Sequence, residues 1–182
     1  RNDRLRSFEV FPKAGSVFNS IHGIILCAVG RKRYVYSIED TTVRIGPPRF
    51  TFFSKSVSMI ISLHQKDLIF RHALTADVVM HVHQNEPDEE YMVGVLCTGD
   101  KKIAVGTSKG VVSIFKCLNG AHLRDIDTSI SPVTHLSSLY HKNIVAMNDN
   151  GDLVIFDEES AQCLRTCSRS FDSEIKLFSA SS

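Results

Sequence analysis

Tryptophan is absent from this 182-residue chain. Also absent is any run approaching the roughly 18 apolar residues that a membrane-crossing helix needs, so the sequence offers no transmembrane segment. No charged-then-apolar leader of the secretory kind opens it. The chain begins at Arg1 rather than Met, and the expectation is a piece of a longer protein. A net charge of +1 removes any global electrostatic argument for nucleic acid or an acidic membrane surface. Five cysteines (Cys27, Cys97, Cys117, Cys163, Cys167) are odd in number and sit mostly in apolar runs. That pattern excludes a disulfide-stapled secreted scaffold. It predicts small core thiols in a reducing, intracellular and cytoplasmic setting.

What is present is short-period hydrophobicity. Hydrophobic residues make up 43% of the chain, enough for one ordinary core. They fall in runs such as Val111–Phe115 and Leu153–Phe156, rich in β-branched and aromatic residues and bounded by Gly, Asn, Asp or Ser. Nowhere do apolar residues recur at i, i+3, i+4, i+7 over twelve positions. The fold class expected is all-β. Residues 86–96 read as an acidic loop entering a strand.

The chain also repeats itself. Ile103–Ile126 aligns without a gap on Ile144–Cys167, pairing Ile103 with Ile144, Gly110 with Gly151, Ile114 with Ile155 and Phe115 with Phe156. Leu123 and Arg124 pair with Leu164 and Arg165. The glycines end the turns Thr107–Gly110 and Asn148–Gly151, where two strands must be joined tightly. Similar strand-turn-strand order recurs at 15–29 and 55–70, with 33–40 and 77–84 in the third-strand place. A period near forty residues with four short strands per unit predicts β-propeller blades of four antiparallel strands. The expected division is 15–54, 55–90, 91–130 and 131–172. Residues 1–14 would be the outer strand of a preceding blade, and 173–182 the first strand of a next one. About four blades would then form part of a larger ring, because a single blade cannot bury both its faces.

These units resemble diverged WD-repeats. In that family a turn Asp precedes Gly, and the third strand ends in Trp-Asp. Asp149-Asn150-Gly151 and Phe156-Asp157 hold the matching places, with Phe standing for Trp, whereas Ser108-Lys109-Gly110 and Phe115-Lys116 lack the Asp. The resemblance implies a WD-type propeller, or a relative such as another seven-bladed propeller class, acting as a rigid platform whose loops engage protein partners.

Candidate sites are few. Arg31, Lys32 and Arg33 stand between two expected strands, in a link that the resemblance places on the rim where partners dock. Three adjacent cations suit an acidic peptide, a phosphoserine or a lipid headgroup. Lys109 occupies the equivalent turn. His81 and His83 share a strand face, with Glu86 following, and two such imidazoles can chelate zinc. The spacings C-x-x-C and H-x-x-x-H are missing, however, so an exposed strand face is expected and no metal or other cofactor. Cys163 and Cys167 lie too far apart along a strand to share a disulfide or an ion. Residues 106–110 lack the G-x-x-x-x-G-K-[ST] order of a phosphate loop, and no G-x-S-x-G marks a nucleophile. The acidic residues Glu86, Asp88, Glu89 and Glu90 lack a calcium-loop frame.

The expected function is a non-enzymatic interaction platform that scaffolds or recruits a protein partner through Arg31, Lys32, Arg33 and Lys109. Further blades of the same parent or a second copy are secondary candidates for that partner. Alternatives are a propeller binding a small ligand or lipid headgroup, or an enzyme using the central channel, with Ser58, His135 and Lys176 converging on the axis. The basic first third (ten Lys or Arg against four Asp or Glu over 1–55) lacks the interleaved aromatics of single-strand binders, so no nucleic acid is expected.

Overall fold

The computed structural model describes residues 48–168 apart from 74, 76, 140 and 141, together with strand backbone at Ser7–Glu9, Ser20–Ile21, Ile24–Val29 and Lys32–Ser37. Those four segments are β1, β2, β3 and β4. They form one antiparallel sheet in the order β1-β4-β3-β2. The second sheet takes β5 (Phe50–Ser54), β6 (Met59–Leu63), β7 (Asp67–His72) and β8 (Val78–His83). A third takes β9 (Tyr91–Leu96), β10 (Lys102–Thr107), β11 (Val111–Lys116) and β12 (His122–Asp127). The fourth takes β13 (His135–Leu139), β14 (Asn143–Met147), β15 (Leu153–Asp157) and β16 (Cys163–Cys167). Each of the last three sheets is an antiparallel meander, strand pairing with next strand in chain order. A 3-10 turn at Thr98–Asp100 lies between β9 and β10. The chain is all-β and built of propeller blades, an open arc rather than a closed ring among the described residues.

Two expectations about strand assignment are corrected by the pairing. Residues 1–14 were expected to complete a preceding blade, but Ser7–Glu9 pairs with Tyr34–Tyr36 and supplies the fourth strand of the sheet that also holds β2 and β3. Residues 50–54 were expected to close the first blade, but they pair with β6 and open the second. The run Met59–Leu63 is consequently a second strand, not an opening one, and Val78–His83 is the outer strand. The misreading has a physical source. All five residues of β6 are buried, so the strand shows no alternation from which its place in the sheet could be read.

The central strands face two neighbours at once, because successive Cβ atoms point to opposite sides of a strand. In the third blade, Ile103, Val105 and Phe115 pack with Met59, Ile61, Leu63, Leu68 and Phe70 of the second. Ala104, Val112 and Ile114 pack the other way, with Ile144, Ala146, Val154 and Phe156 of the fourth. Each fully buried Ile or Phe contributes about 1.5–3 kcal/mol relative to exposure. Deleting one therefore weakens an interface between blades, not just a blade.

The internal repeat survives in the backbone. The pairing of third and outer strands slips by one residue between Ile114 and Phe115, and again between Ile155 and Phe156, its aligned counterparts. The second blade slips between Phe70 and Arg71. A bulge therefore recurs at one structural position, where the extra residue (Val79, Leu123 or Leu164) lies on the outer strand and bends it. At that position Phe115 and Phe156 are replaced by a buried arginine, Arg71.

Gly110 shows why the turn glycines recur. Its φ is +89°, and a Cβ there would lie 2.4 Å from the Ile130 carbonyl oxygen. Only glycine fits both the left-handed backbone and the close approach.

Candidate functional site

The turns joining second to third strands share one end of the blades with the loop that links β8 to β9. Loop 84–90 is fastened to these turns by backbone hydrogen bonds. Gln84 N–H donates to Lys66 O (2.7 Å), Tyr91 N–H to Gln65 O (2.8 Å), and Ser108 N–H to Glu90 O (2.9 Å). Side chains reinforce it. Lys66 Nζ donates to the carbonyls of Glu86 (3.2 Å) and Pro87 (2.5 Å). Glu90 N–H donates to Ser108 Oγ (3.0 Å). The Glu90 carboxylate accepts from Gln65 Nε2 and from the Arg49 guanidinium, the latter at 2.9 Å. Those two donors hold its carboxyl below the ordinary range despite some desolvation. Glu89 and Tyr91 are buried, and burial, with the Glu89 carboxylate adding to it, pushes the Tyr91 phenol up to about 12. The acidic stretch is thus a rim segment bound by cations from the neighbouring turns.

Among the candidate residues, Lys109 lies on this rim. Its side chain is 46% exposed, and Nζ reaches the Glu86 carboxylate at 4.0 Å, the outer limit of an ion pair. Arg31 lies outside the described residues. Lys32 and Arg33 were expected in a loop, but they begin β4, paired with Val29 and Ala28. Ser58 is a turn residue with φ +53°, not an inner-strand residue facing a channel. His135 does open the inner strand β13, with Nδ1 2.9 Å from Thr134 Oγ1, and Lys176 lies outside the described residues. Cys97 and Cys117 are buried as expected, whereas Cys163 is exposed and Cys167 half-buried; these four are free thiols. Burial pushes the Cys117 thiol up to about 12.

A second group lies at the same end of the second blade. Asp67 begins β7, directly opposite His83 on β8, with His81 opposite Ile69. Both rings converge on one oxygen: His81 Nε2 is 2.7 Å and His83 Nδ1 2.8 Å from Asp67 Oδ1. Partial burial would raise the Asp67 carboxyl, but hydrogen bonds from His83 and His81, with their charges when protonated, outweigh it and hold the group below its ordinary value. The three ligand atoms lie within 4.8 Å of one another, close enough to share a metal ion. Linear spacing pointed to Glu86 as third member, yet Glu86 turns toward Lys109. Asp67 was missed because it comes from the neighbouring strand. Strand pairing at Asp67–His83 is the signal that could have found it.

The third blade carries a different carboxylate-centred group, built from Ser113, His122 and Asp125. Asp125 Oδ1 accepts from Ser113 Oγ (2.6 Å) and lies 2.8 Å from His122 Nε2, whose ring meets Phe115 edge-on. Ser113 bonds the carboxylate rather than the imidazole, so the trio has no nucleophile-to-base contact of the hydrolase kind. In the fourth blade Asp157, the residue matched to the family's Trp-Asp, organises the next turn. Its Oδ1 accepts from the N–H groups of Glu159 (3.0 Å) and Ser160 (2.6 Å) and from Ser160 Oγ (2.8 Å).

No protein-family model matches this sequence, and no curated protein matches it. Its structure is nevertheless similar to solved ones. AztD from Citrobacter koseri, in the apo form, superposes with a TM-score of 0.64 at 10% identity, over 83% of this chain and 43% of that one. A chain of the Mitotic Checkpoint Complex gives 0.57 at 12% identity, over 75% and 46%. The C-terminal WD40 domain of Sif2 gives 0.58 at 10%, over 69% and 38%. The chain therefore spans less than half the length of each of these three. At such identities the likeness is one of fold, and that fold is the blade architecture of propellers, WD40 domains among them.

Proposed function

We propose that this chain is a diverged relative of the WD-repeat proteins and works as a non-enzymatic platform for a protein partner. The observation that carries this reading is the rim. Loop 84–90 and the turns at 64–66 and 107–110 are bound to one another by backbone hydrogen bonds, while Lys109 stays half-exposed at their centre. A rigid scaffold presenting fixed loops suits recognition without chemistry. Support also comes from the fold neighbours, a WD40 domain and a chain of a named multiprotein complex. Docking uses Lys109, with Arg31, Lys32 and Arg33 from the corresponding hairpin of the first blade. An intracellular setting accords with the four free cysteines.

The test is affinity capture from a native intracellular extract followed by mass spectrometry, with the charge-reversed variant Arg31→Glu/Lys32→Glu/Arg33→Glu/Lys109→Glu in parallel. A stoichiometric protein that survives moderate salt and is lost from the variant, at unchanged thermal stability, supports the platform. Equal capture by both proteins removes these cations from the docking surface. Recovery of the bait alone overturns the reading.

A further inference from the structure

We propose that Asp67, His81 and His83 form a binding site for a zinc-class divalent transition-metal ion on the outer hairpin of the second blade. Three observations carry it: two imidazole nitrogens and a carboxylate oxygen converge, the acid is anchored, and the histidines are open to solvent. Asp67 is only 16% exposed, and it is the oxygen around which His81 (38%) and His83 (56%) gather. With metal–ligand bonds of roughly 2.0–2.1 Å, tetrahedral ligand atoms stand about 3.3 Å apart. The separations of 2.7 and 2.8 Å therefore need to open by about half an ångström. Small rotations of two exposed rings supply that.

The donor set selects the ion. Two nitrogens disfavour calcium and magnesium, which take oxygen ligands, while imidazole with carboxylate suits zinc, copper and nickel. One negative charge against a dication leaves a net positive site with open positions facing solvent, as in zinc sites that keep a water. Among the described residues the set occurs in this blade. The matching positions of the third blade are Val111, Asp125 and Asp127, none of them a histidine. Bound metal would also fasten the outer strand β8, whose Val78, Val79 and Met80 are exposed, to β7.

The test uses the full chain and needs no partner, so it stands apart from the platform reading. Cobalt(II) is titrated in as a visible-absorbing probe, zinc is added in competition, and the thermal midpoint is followed with and without zinc. The expected result is one ion per chain, displaced by zinc, with a midpoint that rises as zinc is added. His81→Ala and His83→Ala each lower affinity by more than the ~10–100-fold that loss of an outer-shell partner costs, and abolish the midpoint shift. Asp67→Asn weakens binding as well. If that variant misfolds by circular dichroism, the two exposed-histidine variants carry the test alone. Absence of stoichiometric binding overturns the proposal, as does binding unchanged in the His81→Ala/His83→Ala double variant.

Discussion

Lys102 and Glu158 join the third and fourth blades, and removing the lysine should cost more than removing the acid. Lys102 Nζ donates to Glu158 Oε1 at 2.6 Å, with the lysine side chain 29% exposed and the glutamate 4%. The second oxygen, Oε2, is buried without a hydrogen-bond partner. At an effective dielectric of about 20, charges at this distance attract by roughly 6 kcal/mol, before desolvation is subtracted. Breaking a buried pair by deleting one partner costs about 3–5 kcal/mol, and partial exposure of Lys102 puts this one near 3. Lys102→Met strands a buried carboxylate. Glu158→Gln instead leaves an ammonium that reaches water, and should cost about 1 kcal/mol. Urea unfolding followed by far-ultraviolet circular dichroism measures both, and the double variant Lys102→Met/Glu158→Leu should recover most of the loss. A neutral Lys102→Met, or a Glu158→Gln more damaging than Lys102→Met, would refute the reasoning.

Two further outcomes follow from the geometry. Gly110→Ala forces a side chain into a left-handed conformation against the Ile130 carbonyl; a loss of at least ~2 kcal/mol and a lower thermal midpoint are expected. Burial would raise the Asp125 carboxyl, but hydrogen bonds from Ser113 and His122 hold it below its ordinary value. The stability this brings is present above the unfolded-state value and is lost as pH falls through the folded one. Thermal midpoints between pH 5 and pH 2.5 should therefore fall less steeply for Asp125→Asn than for the parent; equal slopes would count against it.

The blades were legible where composition and pairing agree. Ile103 with Phe115, and Ile144 with Phe156, are cross-strand partners at the same place in two sheets, so the repeat in the sequence is a repeat in register. The second blade hid for two reasons. Arg71 replaces the phenylalanine that marks the other two, and β6 is buried on both faces. The histidines of β8 were visible as a pair, but their carboxylate comes from another strand, and the spacing between Asp67 and His81 has no fixed chemical meaning until pairing is known. Lys32 and Arg33 were read as loop because cations next to Gly30 look like turn chemistry; the ladder to Val29 and Ala28 continues through them instead.

The turn at 107–110 accepts or donates hydrogen bonds on both sides: Ser108 to Glu90, Thr128 to Gly110, and Val133 to Thr107. The links before and after the third blade are thus both tied to it. Any molecule gripping Lys109 meets backbone already ordered before the encounter, so little loop entropy is lost on association. Substitutions that loosen Gly110 or Thr107 should then weaken such a complex without removing a single contact, by restoring the disorder that binding would have to quench.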